Sequence, residues 1–154
     1  MPLQHAENEI EVLLVEDDED DAALAERVLA KSGVAVRLHI ARNGQEALDF
    51  LNRRKVRDPS TGESSPPDLV LLDMNMPLVG GLDVLRQMKA DPSLRTIPVV
   101  VLTGEADQDL MHECMELGIN MYLVKPLEIA DIISIVVGVR KRWAAIDKLN
   151  REAA

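Results

Sequence analysis

The sequence predicts an α/β fold, a five-stranded doubly wound parallel sheet of strand order 2-1-3-4-5 with five helices on its two faces, the last of them extended. Strand-like and helix-like segments alternate five times along 154 residues, joined by mostly short connections. Two apolar runs, 69–72 (L-V-L-L) and 98–102 (P-V-V-V-L), show no polar alternation, as strands buried on both faces do. The length suits one layered domain and leaves no room for a second of ordinary size. Right-handed crossovers that cover both faces favour this strand order, whose ligand crevice opens beyond the strand carboxyl ends, between strands 1 and 3.

The first strand is Ile10–Val15 (I-E-V-L-L-V), and it stops at the acidic run Glu16-Asp17-Asp18-Glu19-Asp20-Asp21. Residues 22–31 are alanine-rich, with Leu24 and Val28 one turn apart, and they close at Ser32-Gly33 as a helix with a glycine end. Val36, Leu38 and Ile40 alternate as a second strand. Asn43-Gly44-Gln45-Glu46 resembles a capping box and opens an amphipathic helix through Ala47, Leu48, Phe50 and Leu51. Residues 52–67 lose all periodicity and read as a long surface loop. After the third strand, Leu82, Val84, Leu85 and Met88 mark a helix. After the fourth, Leu110, Met111, Cys114, Met115 and Leu117 mark another before Gly118, with Cys114 expected to be half-buried. Met121–Val124 is a weaker fifth strand.

The last helix is apolar beyond need. Ile129, Ile132, Ile133, Ile135, Val136, Val137 and Val139 cover more than one face, whereas a helix lying on a sheet requires a single stripe. Ile132, Val136, Val139, Trp143 and Ile146 step by four and three, which leads us to expect a homodimer through this helix. The organisation expected is a flexible segment 1–8, one domain over 9–143 and a helical extension over 144–154. With no effector domain in view, output should pass through protein contact.

Composition excludes several classes. Seventeen Lys and Arg against 27 Asp and Glu give a net charge of −10, which repels nucleic-acid phosphates and anionic membranes. Phe50, Tyr122 and Trp143 are too scattered to stack bases. Cys114, the single cysteine, permits no intramolecular disulfide and no cysteine-based zinc site, as in a reducing compartment. Residues 1–9 lack a signal pattern, and the most apolar run, 129–139, is interrupted by Asp131 and is too short to span a bilayer. A cytoplasmic protein is expected.

Chemistry collects at the strand ends: Glu16 and Asp17 after the first, Asp73 after the third run, Thr103 after the fourth and Lys125 after the fifth. Three carboxylates brought this close repel one another unless a cation lies among them. A hard divalent ion such as Mg²⁺ takes about six oxygen ligands, keeps some waters, and lets a phosphoryl oxygen replace one. A carboxylate oxygen can then attack the clamped phosphoryl group to form an acyl phosphate, while Lys125 and Thr103 supply a positive charge and a hydroxyl donor.

These residues resemble the receiver domain of bacterial two-component response regulators, a flavodoxin-like fold, over about residues 11–142. The matching motifs are V-E-D-D (Glu16, Asp17), L-L-D-M-N-M-P (Asp73), V-V-L-T-G (Thr103) and Y-L-V-K-P (Lys125). The resemblance implies that Asp73 is the phospho-acceptor. Asp17, Asp73 and the backbone carbonyl of Asn75 would then bind Mg²⁺, with Mn²⁺ or Ca²⁺ able to substitute, and Glu16 would act through water. It also implies that Thr103 and Tyr122 form a switch, that Glu105 gates the phosphoryl group, and that the Lys125-Pro126 bond is cis. The turn 76–81, with Pro77, Gly80 and Gly81, suits a loop folded around a phosphoryl group.

The donor implied is a sensor histidine kinase. The long 52–67 loop and extended final helix resemble the short regulators paired with bacterial phytochromes. Two alternatives share the fold: a docking module that is never phosphorylated, and an intermediate carrier in a phosphorelay. A phosphate-ester hydrolase with an aspartate nucleophile would need a second acid where Asn75 stands.

Overall fold

In the computed structural model, which describes residues 9–55, 65–76 and 79–153, five parallel strands form one sheet ordered β2-β1-β3-β4-β5. The chain runs β1 (Ile10–Val15), α1 (Glu19–Lys31), β2 (Val36–Ala41), α2 (Gly44–Arg54) and β3 (Leu69–Asp73). It continues through α3 (Gly81–Ala90), β4 (Val99–Thr103), α4 (Gln108–Glu116), β5 (Met121–Val124) and α5 (Ile129–Ala153). Strand and helix strictly alternate, as expected. Period-two side-chain direction divides the core into two layers. Leu13, Val15, Val70, Leu72, Val99 and Val101 face α2, α3 and α4, while Val12, Leu14, Leu71, Val100 and Leu102 face α1 and α5. Among the described residues no helix is long and apolar enough to cross a membrane.

Several local expectations change. α1 begins at Glu19, because Asp18 caps it: the Asp18 carboxylate accepts the amides of Asp20 and Asp21 at 2.8 and 3.0 Å. Glu19, Asp20 and Asp21 therefore occupy the first turn, where the positive end of the helix dipole favours acids. Leu24 is 41% exposed, and the buried stripe is Ala22, Ala25 and Leu29. Only half of the expected capping box forms on α2. The Asn43 side chain accepts the Glu46 amide at 2.8 Å, but Glu46 accepts from the amide of Arg42, one residue early, at 3.1 Å. α2 also extends through Arg54 into the expected loop, and both Glu11 carboxylate oxygens hold the Arg54 guanidinium at 2.6 Å. The middle of that loop, the segment 1–8, and Pro77 and Leu78 of the turn expected to fold around a phosphoryl group lie outside the described residues.

Cys114 is fully buried rather than half-buried, whereas Met115 is exposed. The larger correction concerns α5. Ile132, Val136, Val139 and Trp143, expected on a dimer surface, are buried against the sheet and α1, so they serve the protein's own core. Of that set Ile146 alone is exposed. The outward apolar row is Ile129, Ile133 and Val137, which are 42%, 51% and 47% exposed. α5 continues without a break across residues 143 and 144.

Candidate functional site

The strands end level with one another, which is what gathers the site. Val15 pairs with Leu72, Asp73 with Leu102, and Thr103 with Val124, so Glu16, Asp17, Asp73, Thr103 and Lys125 all emerge at one edge. The ladder extends into the site itself: the Glu16 amide donates to Ala41 at 2.9 Å, Met74 to Leu102 at 3.1 Å, and Lys125 to Thr103 at 2.7 Å. Behind Asp73, α3 starts against the backbone. A side chain at Gly81 would collide with the Asp73 carbonyl oxygen, so glycine permits this approach.

Glu16, Asp17 and Asp73 each offer a carboxylate oxygen, and these lie within 4.8 Å of one another. Glu16 and Asp73 are each only 2% exposed, while Asp17 faces solvent. The Glu16 carboxylate accepts the Asp18 amide at 3.3 Å, and Asp73 accepts the Asn75 amide at 3.1 Å. Lys125 reaches in from β5, its Nζ 2.6 Å from Glu16, 2.9 Å from Asp21 and 3.6 Å from Asp73. The Lys125-Pro126 peptide bond is cis.

One ammonium does not neutralise this cluster. Burial pushes the Glu16 carboxyl up to about 7, the hydrogen bond and negative charge of Asp73 push the same way, and Lys125 opposes them. Burial alone would lower Lys125, but its hydrogen bonds to Glu16 and Asp21 and the charges of Asp73 and Glu16 prevail and hold it above the ordinary lysine value. A concentration of hard oxygen donors with uncompensated negative charge fits a small divalent cation such as Mg²⁺, Mn²⁺ or Ca²⁺.

The remaining expected residues lie around this centre. Thr103 is buried and its hydroxyl donates to the Glu105 carbonyl at 3.0 Å, so Glu105 meets the site through its backbone while its side chain is exposed. Tyr122 packs on the α4 side of the core, and its hydroxyl donates to the Asp107 carbonyl at 3.4 Å. Sequence reasoning missed Asp21. Recognising Asp18 as the helix cap would have placed Asp21 in the first turn of α1, at the site's rim.

The model of the family described as "Response regulator receiver domain" matches residues 12–137. Response regulator Rcp1 of Synechocystis sp. is 38% identical over 133 residues, covering 86% of this chain and 87% of Rcp1. A solved Mn²⁺-bound form of Rcp1 superposes with a TM-score of 0.65 at 36% identity, covering 87% of this chain and 94% of that one. The bacteriophytochrome response regulator AtBRR gives a TM-score of 0.71 at 36% identity, covering 84% and 91% of the two chains. The phosphorylated cyanobacterial phytochrome response regulator RcpA gives 0.67 at 33% identity, covering 90% and 96%.

Proposed function

Since the chain belongs to the response regulator receiver domain family, we propose that it accepts a phosphoryl group on Asp73 from a sensor histidine kinase and signals through altered protein contacts. The observation that carries this reading is the convergence of Glu16, Asp17 and Asp73 within 4.8 Å beside the Lys125 ammonium. Asp17, Asp73 and the Asn75 carbonyl would hold Mg²⁺, with Glu16 acting through water. The ion would offset the carboxylate charge and that of the arriving phosphoryl oxygens.

In the transfer, an Asp73 oxygen forms a bond to phosphorus as the donor's phosphorus–nitrogen bond breaks. The bonding pair leaves with the imidazole, which is left neutral once its protons re-equilibrate with solvent. Lys125 neutralises a phosphoryl oxygen, and Thr103 gives up its bond to the Glu105 carbonyl to donate to another. That turn of the hydroxyl vacates space into which Tyr122 can move from its contact with Asp107, carrying the change to the α4–β5 surface. Glu105 flanks the route by which water reaches the acyl phosphate. The only chemistry catalysed would be the protein's own phosphorylation and dephosphorylation.

The similarity to the bacteriophytochrome response regulator AtBRR and the phytochrome response regulator RcpA supports a phytochrome-type kinase as donor, and a cytoplasmic setting is part of the same proposal. A homodimer through α5 would use the outward row Ile129, Ile133 and Val137. The test of phosphoryl acceptance is intact mass after incubation with acetyl phosphate. We expect wild-type protein to gain one HPO₃ in Mg²⁺ and none in excess chelator. An unchanged mass in both, with no response to beryllofluoride, would favour a docking module that is never phosphorylated.

A further inference from the structure

Asp21 lies outside the residues that would bind the metal or phosphate, yet it holds the side chain that must reach the phosphoryl group. Lys125 Nζ donates to Glu16 at 2.6 Å and to Asp21 at 2.9 Å, while Asp73 stands at 3.6 Å, beyond hydrogen-bonding range. Glu16 is fixed, being buried and tied to the Asp18 amide. Asp21 is different. It sits in the first turn of α1 with its side chain 43% exposed, free to release a partner into water. Between α1 and the segment after β5 lies a cleft of about 270 Å³ whose walls include Leu24, Ala25, Leu102 and Leu127. With apolar walls around it, the Lys125 ammonium satisfies its donors at the polar end, on Glu16 and Asp21.

The geometry points to Asp21 as a positioning residue that holds Lys125 away from Asp73 before phosphorylation and surrenders it afterwards, so that it restrains phosphorylation. This inference rests on Asp73 being the acceptor. A phosphorylated Asp73 carries more negative charge and more acceptor oxygens than a carboxylate, so it outcompetes Asp21 for the ammonium. Before that, each contact between Lys125 and Asp21 must be given up for the phosphorylated arrangement to form. Removing the Asp21 charge removes that opposing contact.

The test compares Asp21→Asn with Asp20→Asn, which deletes the same charge from the neighbouring exposed position of the same helical turn. With beryllofluoride and Mg²⁺ as the probe, Asp21→Asn should bind about two- to fivefold more tightly than wild type, the size of a partly exposed ion pair. Asp20→Asn should match wild type, and Asp21→Glu should restore the wild-type value. In metal-free protein, the nitrogen resonance of the Lys125 ammonium, assigned by its loss in Lys125→Arg, should move in Asp21→Asn and stay in place in Asp20→Asn. Equal affinity changes in the two asparagine variants would reduce the effect to net charge and overturn the inference. So would weaker binding in Asp21→Asn or an unmoved ammonium signal. Wild-type protein that binds no beryllofluoride would overturn the acceptor assignment as well, which separates the two failures.

Discussion

Asp73→Asn should fold normally and take up no phosphoryl group from acetyl phosphate. The substitution nearly preserves shape, but a neutral amide oxygen is a far weaker nucleophile than a carboxylate, and no other acid ends β3. Folding should survive because the change removes one of two buried carboxylates that repel each other, while Lys125 retains Glu16 and Asp21 as partners. We expect stability to stay the same or rise by about 1 kcal/mol, within the ordinary range of single substitutions. Intact mass and a denaturant midpoint measure both quantities. Labelling at wild-type stoichiometry would show that another residue is the acceptor.

The second large effect separates two faces of one helix. Ile132 is 2% exposed and packs in the layer that holds Leu14, Leu71, Val100 and Leu102. Ile132→Asp leaves an unpaired charge there, at a cost of about 4 kcal/mol or more. Set against a typical domain stability of about 5–15 kcal/mol, that leaves the protein largely or wholly unfolded. The neighbouring Ile133→Glu falls on the exposed row, where folding should change by about 0.5 kcal/mol or less. If the outward row of α5 mediates a homodimer, Ile133→Glu combined with Val137→Glu should sediment as a folded monomer. A folded Ile132→Asp would contradict the packing of α5. A double variant with wild-type sedimentation would remove this row from the dimer proposal.

The contrast on α5 shows what the sequence conceals. Ile132 and Val136 form one apolar row at a spacing of four, and Ile133 and Val137 form another, one residue round the helix. Hydropathy does not rank two such rows. Packing against α1 and the sheet selects the first, which is why the expected dimer stripe proved to be core. The strands posed no such ambiguity: Leu69–Asp73 and Val99–Thr103 are buried along their whole lengths, and unbroken apolar runs declare that directly. Glu16, Asp17, Asp73, Thr103 and Lys125 were readable for the same reason, since each of them ends or follows a strand. Asp21 was obscured because a run of six acids looks like solvated loop until the cap at Asp18 turns its second half into helix.

Crowding of Glu16, Asp17 and Asp73 is the strain that a divalent ion should relieve, and unfolding measured against pH tests this most directly. Glu16 releases its proton near 4.5 when unfolded but near 7 in the fold, so between those values the folded protein binds more protons. Its contribution to stability is therefore lost as pH rises through this window, by about 3 kcal/mol. In chelator, the midpoint of wild type should fall relative to Glu16→Gln from pH 4.5 to 7, and Mg²⁺ above that window should raise wild type again. Parallel pH profiles for the two proteins, with no response of wild type to Mg²⁺, would contradict the account.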